Sequence, residues 1–564
     1  MTSLAAKWAL CGACLLVLSL PGVASAASAP ANVAPSSTPA AHHHRLEHAP
    51  AAATPIPQIV RQGDRYALTV DGAPYVVLAA QVNNSSNWPA ELPKVWPDID
   101  KIGANTLEMP IAWEQIEPVQ GQFDFSFLDT LLAQAREHHV HLVLLWFGTW
   151  KNSHPTYAPA WVKLNNNRYP RVVTQDGGVV DSLSPLFPAT LEADKAAFSA
   201  LMRHVKAVDP QHTVIMVQVE NETGTWGSVR DYSPTAQAAF AGPVPESLLK
   251  ALGKPAGSWS QVFGADADEV FHAWSIAHYV NQVAEAGKAQ DPLPMYVNAA
   301  LRDPIKPQPP TAYEAGGPTW NVLDVWKAAT PAIDVVGPDI YSTDYAGYVR
   351  NLELYGRKDN PLFVPEDGNG PAYPRFLFET LGHGGIGWSV FGIDATGYSN
   401  FPMGAARIDD ATLAPFALNF AEVEGVNRQL AAANLAGKAW AAAEPTDTHE
   451  KSLNLGRWTA RLSFGLPQFG DPPPAGNTPP SGGAVIIELG PNDYLVTGNH
   501  VRVAFALTDQ SDPAAKRVTF NRIEEGHFDH GQWVFERLWN GDETDWGLNF
   551  TSEPQILRVK LATY

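Results

Sequence analysis

Between residues 75 and 390, apolar runs of strand length alternate with stretches whose hydrophobic positions recur every three to four residues. The runs are Tyr75–Ala80, Thr106–Met109, His141–Trp146, Val214–Val219, Met295–Asn298, Ile333–Ile340, Leu362–Val364 and Ile386–Val390. Val214–Val219 is apolar except at Gln218, the pattern of a strand covered on both faces in a parallel sheet. Helical spacing predicts helices over Trp96–Gly103, Phe127–Glu137, Leu191–Val208, Val270–Ala289, Val322–Ala329 and Tyr348–Tyr355. Ahead of them, Arg65–Thr69 and the Asp71-Gly72 turn predict a hairpin whose second arm becomes the first strand, and Pro110 is expected to close the second. Strands and helices in this alternation, with no Gly-x-Gly-x-x-Gly after the first strand, predict an α/β fold of the (β/α)8 TIM-barrel type over 58–443.

Pro415–Ala443 reads as a closing helix with its proline in the first turn. The pattern then changes. A Pro- and Gly-dense stretch at 467–483 sits among short strand-like runs: Trp458–Phe464, Val485–Leu489, Tyr494–Val496, Val501–Leu507, Arg517–Ile523 and Ile556–Leu561. They predict a C-terminal, sandwich-like β domain over 444–564. Its Trp533, Trp539 and Trp546 either form a sugar-binding platform or fill the core.

The N-terminus follows neither pattern. Lys7, an apolar run to Leu20 and the small residues Val23-Ala24-Ser25-Ala26 predict a secretory signal peptide over 1–26. Residues 27–57, rich in Ala, Pro, Ser and Thr, predict a flexible linker. Cys11 and Cys14 both lie in the signal segment, so cleavage removes disulfides and cysteine chemistry together. An exported protein, periplasmic or secreted and with no membrane contact after cleavage, is expected. A formal charge of −20 disfavours nucleic acid and anionic lipid as partners and suits a neutral substrate. No His-Glu-x-x-His occurs, and His42 to His44 with His48 fall in the linker, so no metal and no cofactor are expected.

Two of the eight runs end in acid. Val214–Val219 leads into Glu220-Asn221-Glu222-Thr223-Gly224, and the seventh run into Pro365-Glu366-Asp367-Gly368. Barrel strands deliver their C-terminal residues to one face, so Glu222 and Glu366 are expected to meet there. Two carboxyls facing across a sugar, one protonated and one ionised, are the working parts of glycoside hydrolysis.

An Asn-Glu pair after strand four with a Glu after strand seven resembles the retaining TIM-barrel glycosidases. Within that clan, Gln218-Val219-Glu220-Asn221-Glu222-Thr223-Gly224 resembles the signature of family 35 β-galactosidases. Gly103-Ala104-Asn105-Thr106, Trp113 with Glu117-Pro118, and Gly121-Gln122-Phe123-Asp124-Phe125 resemble the corresponding stretch in families 35 and 42. The C-terminal part resembles the β-rich domain of a bacterial branch of family 35, some members of which act on plant wall polysaccharide. The resemblance implies Glu222 as proton donor, Glu366 as nucleophile, Asn221 on the hydroxyl next to the anomeric carbon, Tyr341 orienting Glu366, and Trp388 as a stacking floor. Ordinary barrel packing is the alternative for Tyr341 and Trp388.

The chain also departs from the family. Pro110 stands where animal-type enzymes have a tyrosine, and Gly148-Thr149-Trp150 stands where they carry Ala-Glu-Trp. Lys151 and Asn152 are candidates to replace the lost Glu, and Trp150 and Asn152 are kept as substrate contacts. The implied activity is a retaining β-galactosidase. An endo-acting glucanase or mannanase, or a non-catalytic carbohydrate-binding protein, remain alternatives.

Overall fold

The computed structural model describes residues 54–465, 476–509 and 517–564. The signal segment, most of the linker with its histidines and both cysteines, and part of the 467–483 loop lie outside the described residues.

Eight parallel strand positions close a barrel: β1 (Val77–Gln81), β2 (Thr106–Ala112), β3 (His141–Lys151), β4 (Val214–Asn221), β5 (Met295–Ala300), β6 (Val335–Ile340), β7 (Phe363–Val364 with Glu366–Asp367) and β8 (Gly387–Phe391). Each falls on one of the apolar runs. β7 is split by Pro365: Phe363 and Val364 pair with β8, whereas Glu366 and Asp367 pair with Asp339 and Ile340 of β6. Gly337 of β6 lies against this break, where a Cβ would come within 2.7 Å of the Pro365 ring. The interior is filled by Val77, Ala79, Val143, Leu145, Phe147, Tyr296, Val335 and Phe363. Alternating partners such as Leu142, Leu144 and Trp146 point outward to the helices.

β2 does not stop at Pro110. The Glu108 carbonyl accepts from Val82 on the β1 side, so Pro110, two residues on, turns its missing N–H the same way. β1 has ended there at Gln81, and no donor is needed.

The closing segment also differs from expectation. Helices span Asp410–Glu424 and Asn427–Ala436, Gly437 ends the second at φ 71°, and Ala439–Ala443 is a strand. That strand is the edge of a six-stranded antiparallel sheet with Gly483–Gly490, Asp493–Asn499, Ile556–Thr563, Val518–Asp529 and Gln532–Leu538. A four-stranded sheet (Glu450–Asn454, Trp458–Phe464, Val501–Leu507, Leu548–Phe550) faces it. Between them, Trp458, Ala460, Leu462 and Phe464 pack with Ile486, Val496, Leu557 and Val559, period-two rows from both sheets. The other face of the larger sheet, through Val485, Ile487 and Leu495, belongs to the core of the barrel helices. No helix among the described residues is long and apolar enough to cross a membrane.

Candidate active site

The C-terminal ends of the strands surround a cavity of about 740 Å³, and Glu222, Glu366, Tyr341, Asn152 and Lys151 are among its lining residues. Glu222 follows β4 and Glu366 sits on the detached half of β7. Together with Asp339 of β6 they bring carboxylate oxygens within 4.8 Å of one another. Glycosidases that form a covalent glycosyl-enzyme hold their two carboxyl groups about 5–5.5 Å apart, and those that seat a water between them about 6.5–9.5 Å.

Each oxygen of Glu366 has a donor: Gln81 Nε2 at 2.9 Å to Oε1 and the Tyr341 hydroxyl at 2.8 Å to Oε2. Tyr341, which the resemblance gives the task of orienting Glu366, is thus in contact with that carboxylate. Gln81, at the end of β1, was not anticipated. Asn152 Nδ2 donates to Glu222 Oε2, and Lys151 Nζ lies 3.9 Å from the same oxygen. The Glu222 backbone N–H donates to Asn298 Oδ1 at 3.0 Å, and Asn298 Nδ2 donates to Asp339 Oδ2 at 2.7 Å. Burial raises Glu222 above the ordinary carboxylate value; the Lys151 ammonium opposes this and the Glu366 carboxylate adds to it. Burial, then Glu366 and Glu222, push the Asp339 carboxyl well above the ordinary carboxylate range. A side-chain hydrogen bond joins it to the Glu222 carboxyl.

The three acids are the grouping among the described residues close enough to hold a metal ion. Their surroundings suit other chemistry. Amide, phenol and ammonium donors already occupy Glu366 and Glu222, and Lys151 supplies the positive charge a cation would bring.

The backbone here is strained. Glu220, Glu222, Asn152 and Ser153 have φ of 64°, 43°, 50° and 66°. Left-handed non-glycine residues cost about 1–3 kcal/mol each and persist where the surroundings hold them. The Ser153 N–H donating to the Glu222 carbonyl at 3.1 Å joins the two strained segments. Ahead of them, β3 breaks register between Trp146 and Lys151, which carries Asn152 to the cavity.

Other predicted contacts fall elsewhere. Trp388 faces outward from β8, fully buried against Phe416 and Phe420, with its Nε1 donating to Asp367 Oδ2 at 2.8 Å. It does not line the cavity and cannot be the stacking floor; Phe391 at the end of β8 lines it instead. Trp150 also points outward, edge-on to Tyr279 with its Nε1 on the Leu183 carbonyl, and is not a substrate contact. Asn221 is fully buried beside Glu222, off the cavity lining, with neither amide atom bonded among the described residues. Asn152 lines the cavity, its amide given to Glu222. In the C-terminal sheets, Trp539 belongs to the core and Trp546 is half exposed, so the three tryptophans form no common platform.

Three further buried acids went unpredicted. Glu108 of β2 adjoins Glu366, and burial followed by that charge raises it. Glu220 accepts from the Trp150 N–H at 2.8 Å. Glu314 accepts from Trp226 Nε1 at 2.8 Å. Only Glu220 carried a signal, as a charge at the end of an apolar strand.

Two segments of the chain match family models. Residues 87–284 match the family model described as β-galactosidase, glycoside hydrolase family 42. The 87–284 segment is β-galactosidase-like. Residues 416–551 match a domain of unknown function, DUF5597. A β-galactosidase of Xanthomonas manihotis is 29% identical over 202 residues, covering 34% of this chain and 31% of that protein. The chain thus spans about a third of the curated relative it matches. Solved β-galactosidases from Bacillus circulans sp. alkalophilus and Marinomonas ef1 superpose with TM-scores of 0.47 and 0.48 at 15% and 14% identity. They cover 63% and 64% of this chain and 57% and 61% of theirs. The signature at 218–224 resembles family 35, whereas the model that matches is that of family 42.

Proposed function

We propose that this protein is an exported retaining β-galactosidase that removes terminal, non-reducing β-D-galactose from oligosaccharides or plant wall side chains. The observation that carries the reading is the separation of the two acids, with carboxylate oxygens of Glu222 and Glu366 within 4.8 Å. Glu366, held by Gln81 and Tyr341, attacks the anomeric carbon. Glu222, kept protonated by burial, gives its proton to the departing glycosidic oxygen. The galactosyl–Glu366 ester then meets water, from which Glu222 takes a proton as the ester C–O bond breaks and Glu366 is regenerated. Asn221 keeps the role the resemblance implies, on the hydroxyl beside the anomeric carbon, only if its buried amide, unpaired among the described residues, reaches the cavity when substrate binds. Export rests on the leader-like pattern of residues 1–26, and the family-35 placement on 218–224.

The test is to treat the protein with a 2-deoxy-2-fluoro-β-galactoside bearing a good leaving group and to map the adduct by mass spectrometry. The label is expected on Glu366, and Glu366→Ala should lose hydrolysis by several orders of magnitude. Release of the α-anomer of galactose first, or a Glu366→Ala variant of undiminished activity, would overturn the assignment.

A further inference from the structure

Four residues beyond Glu222, the chain presents a tryptophan that packing does not require. Trp226 is 45% exposed and lines the cavity that holds the two acids. Its loop is nevertheless fixed. Thr225 exchanges both backbone hydrogen bonds with Ala315, at 3.0 and 3.2 Å, and its hydroxyl meets His272 Nε2 at 2.8 Å. The indole is fixed as well, because Nε1 donates to Glu314 Oε1 at 2.8 Å. Glu314 is 2% exposed, lines the same cavity, and is held also by the Ser153 hydroxyl. An apolar ring with its polar edge satisfied and its surface left open to a cavity is a pre-organised face for a flat, amphipathic ligand.

Trp226 is tied to the acid through Glu314, which holds the indole and interacts with Glu222, and both residues line the same cavity. On the function proposed above, on which this inference rests, Glu222 protonates the oxygen joining the cleaved galactose to its leaving group. Glu366 and its tyrosine occupy the galactose side. Glu314 adjoins Glu222, and burial, the largest influence on it, raises its carboxyl well above the ordinary carboxylate value. We infer that Trp226 is the platform for the sugar ring of the leaving group, with Glu314 as the positioning residue that fixes its plane. The substrate class is accordingly a β-galactoside whose leaving group is itself a saccharide.

Two substrates separate this from a structural role: β-galactosyl fluoride, which has no leaving-group ring, and a β-galactosyl disaccharide. Trp226→Ala should lower kcat/KM for the disaccharide by about 10- to 100-fold, the scale of losing one buried apolar ring face. The fluoride should be turned over as well as by the parent enzyme. Trp226→Phe should restore most of the disaccharide activity, and Glu314→Leu, which removes the acceptor of the indole N–H, should raise KM for the disaccharide with kcat on the fluoride retained, whereas Glu314→Gln, which keeps that acceptor, should behave as the parent. An equal loss on both substrates would make Trp226 a structural residue and overturn the inference, as would an unchanged disaccharide rate. Absence of turnover of the fluoride by the parent enzyme would instead retire the galactosidase reading, and this inference with it.

Discussion

Lys151 and Glu222 show how single residues here are set by their neighbours. Glu222 is buried, which favours its neutral form, and Lys151 at 3.9 Å favours the ionised one. Removing the ammonium takes away the influence that lowers the Glu222 pKa, so the proton should be retained to higher pH. Lys151→Met is expected to move the alkaline limb of the kcat/KM profile upward while the acidic limb stays; an unmoved alkaline limb would mean that Glu222 is not the acid. Gly148 accounts for part of the departure from the Ala-Glu-Trp pattern. A Cβ there would lie 2.3 Å from Trp146 Nε1 and 2.8 Å from Glu220 Oε1, so the space is taken by two side chains. Thr149 is likewise engaged, its hydroxyl 2.6 Å from Asp194 Oδ2 and 2.7 Å from the Tyr279 hydroxyl. Glu222, Glu366 and Tyr341 were legible because each ends an apolar run, where polarity has to be explained. Asp339 was not, because it lies inside such a run and was read as part of the strand.

Among elements, the loop after β4 depends on its contact with the 313–317 segment. Gly224 has φ 150°, and a Cβ would stand 2.7 Å from Glu314 Cβ and 2.8 Å from its carbonyl oxygen. Gly224→Ala should therefore cost about 1–3 kcal/mol of stability, visible in urea denaturation, and should lose activity with it. Activity at the parent level would mean that this contact does not set the loop. The eight strands were recoverable because apolar runs this continuous form only where both faces are covered. Which face points inward was harder to read: with both sides buried, Trp388 and Phe391 are equally plausible cavity residues by composition, yet three positions apart in a strand they lie on opposite faces. The Ala439–Ala443 strand was lost among the alanines around it, which favour helix. Gly437 was the available stop signal. The break at Pro365 laces Glu366 to β6, the strand that leads into Tyr341, so nucleophile and phenol are carried by one paired ribbon and not by the neighbour on the other side.

For the molecule as a whole, the contact between the helix Asp410–Glu424 and the six-stranded sheet contains a titrating group. Glu422 is buried there, and burial pushes its pKa up to about 8, against the opposing hydrogen bond from Asn499 at 2.9 Å. The folded state then holds a proton that the unfolded chain releases near its ordinary value of 4.5. Stability from this source is fully present below that value and is lost as pH rises through about 8. Glu422→Gln, which keeps the neutral shape, should match the parent melting temperature at low pH and exceed it above pH 8; parallel curves across that range would exclude the effect. The large sheet has its own bearing on how the molecule can be handled. Val485, Ile487 and Leu495 lean on the barrel helices, and the opposite rows lean on the smaller sheet. Trimming the chain back to its catalytic cylinder would bare an oily flank in water, so a pared-down catalyst would first have to be resurfaced.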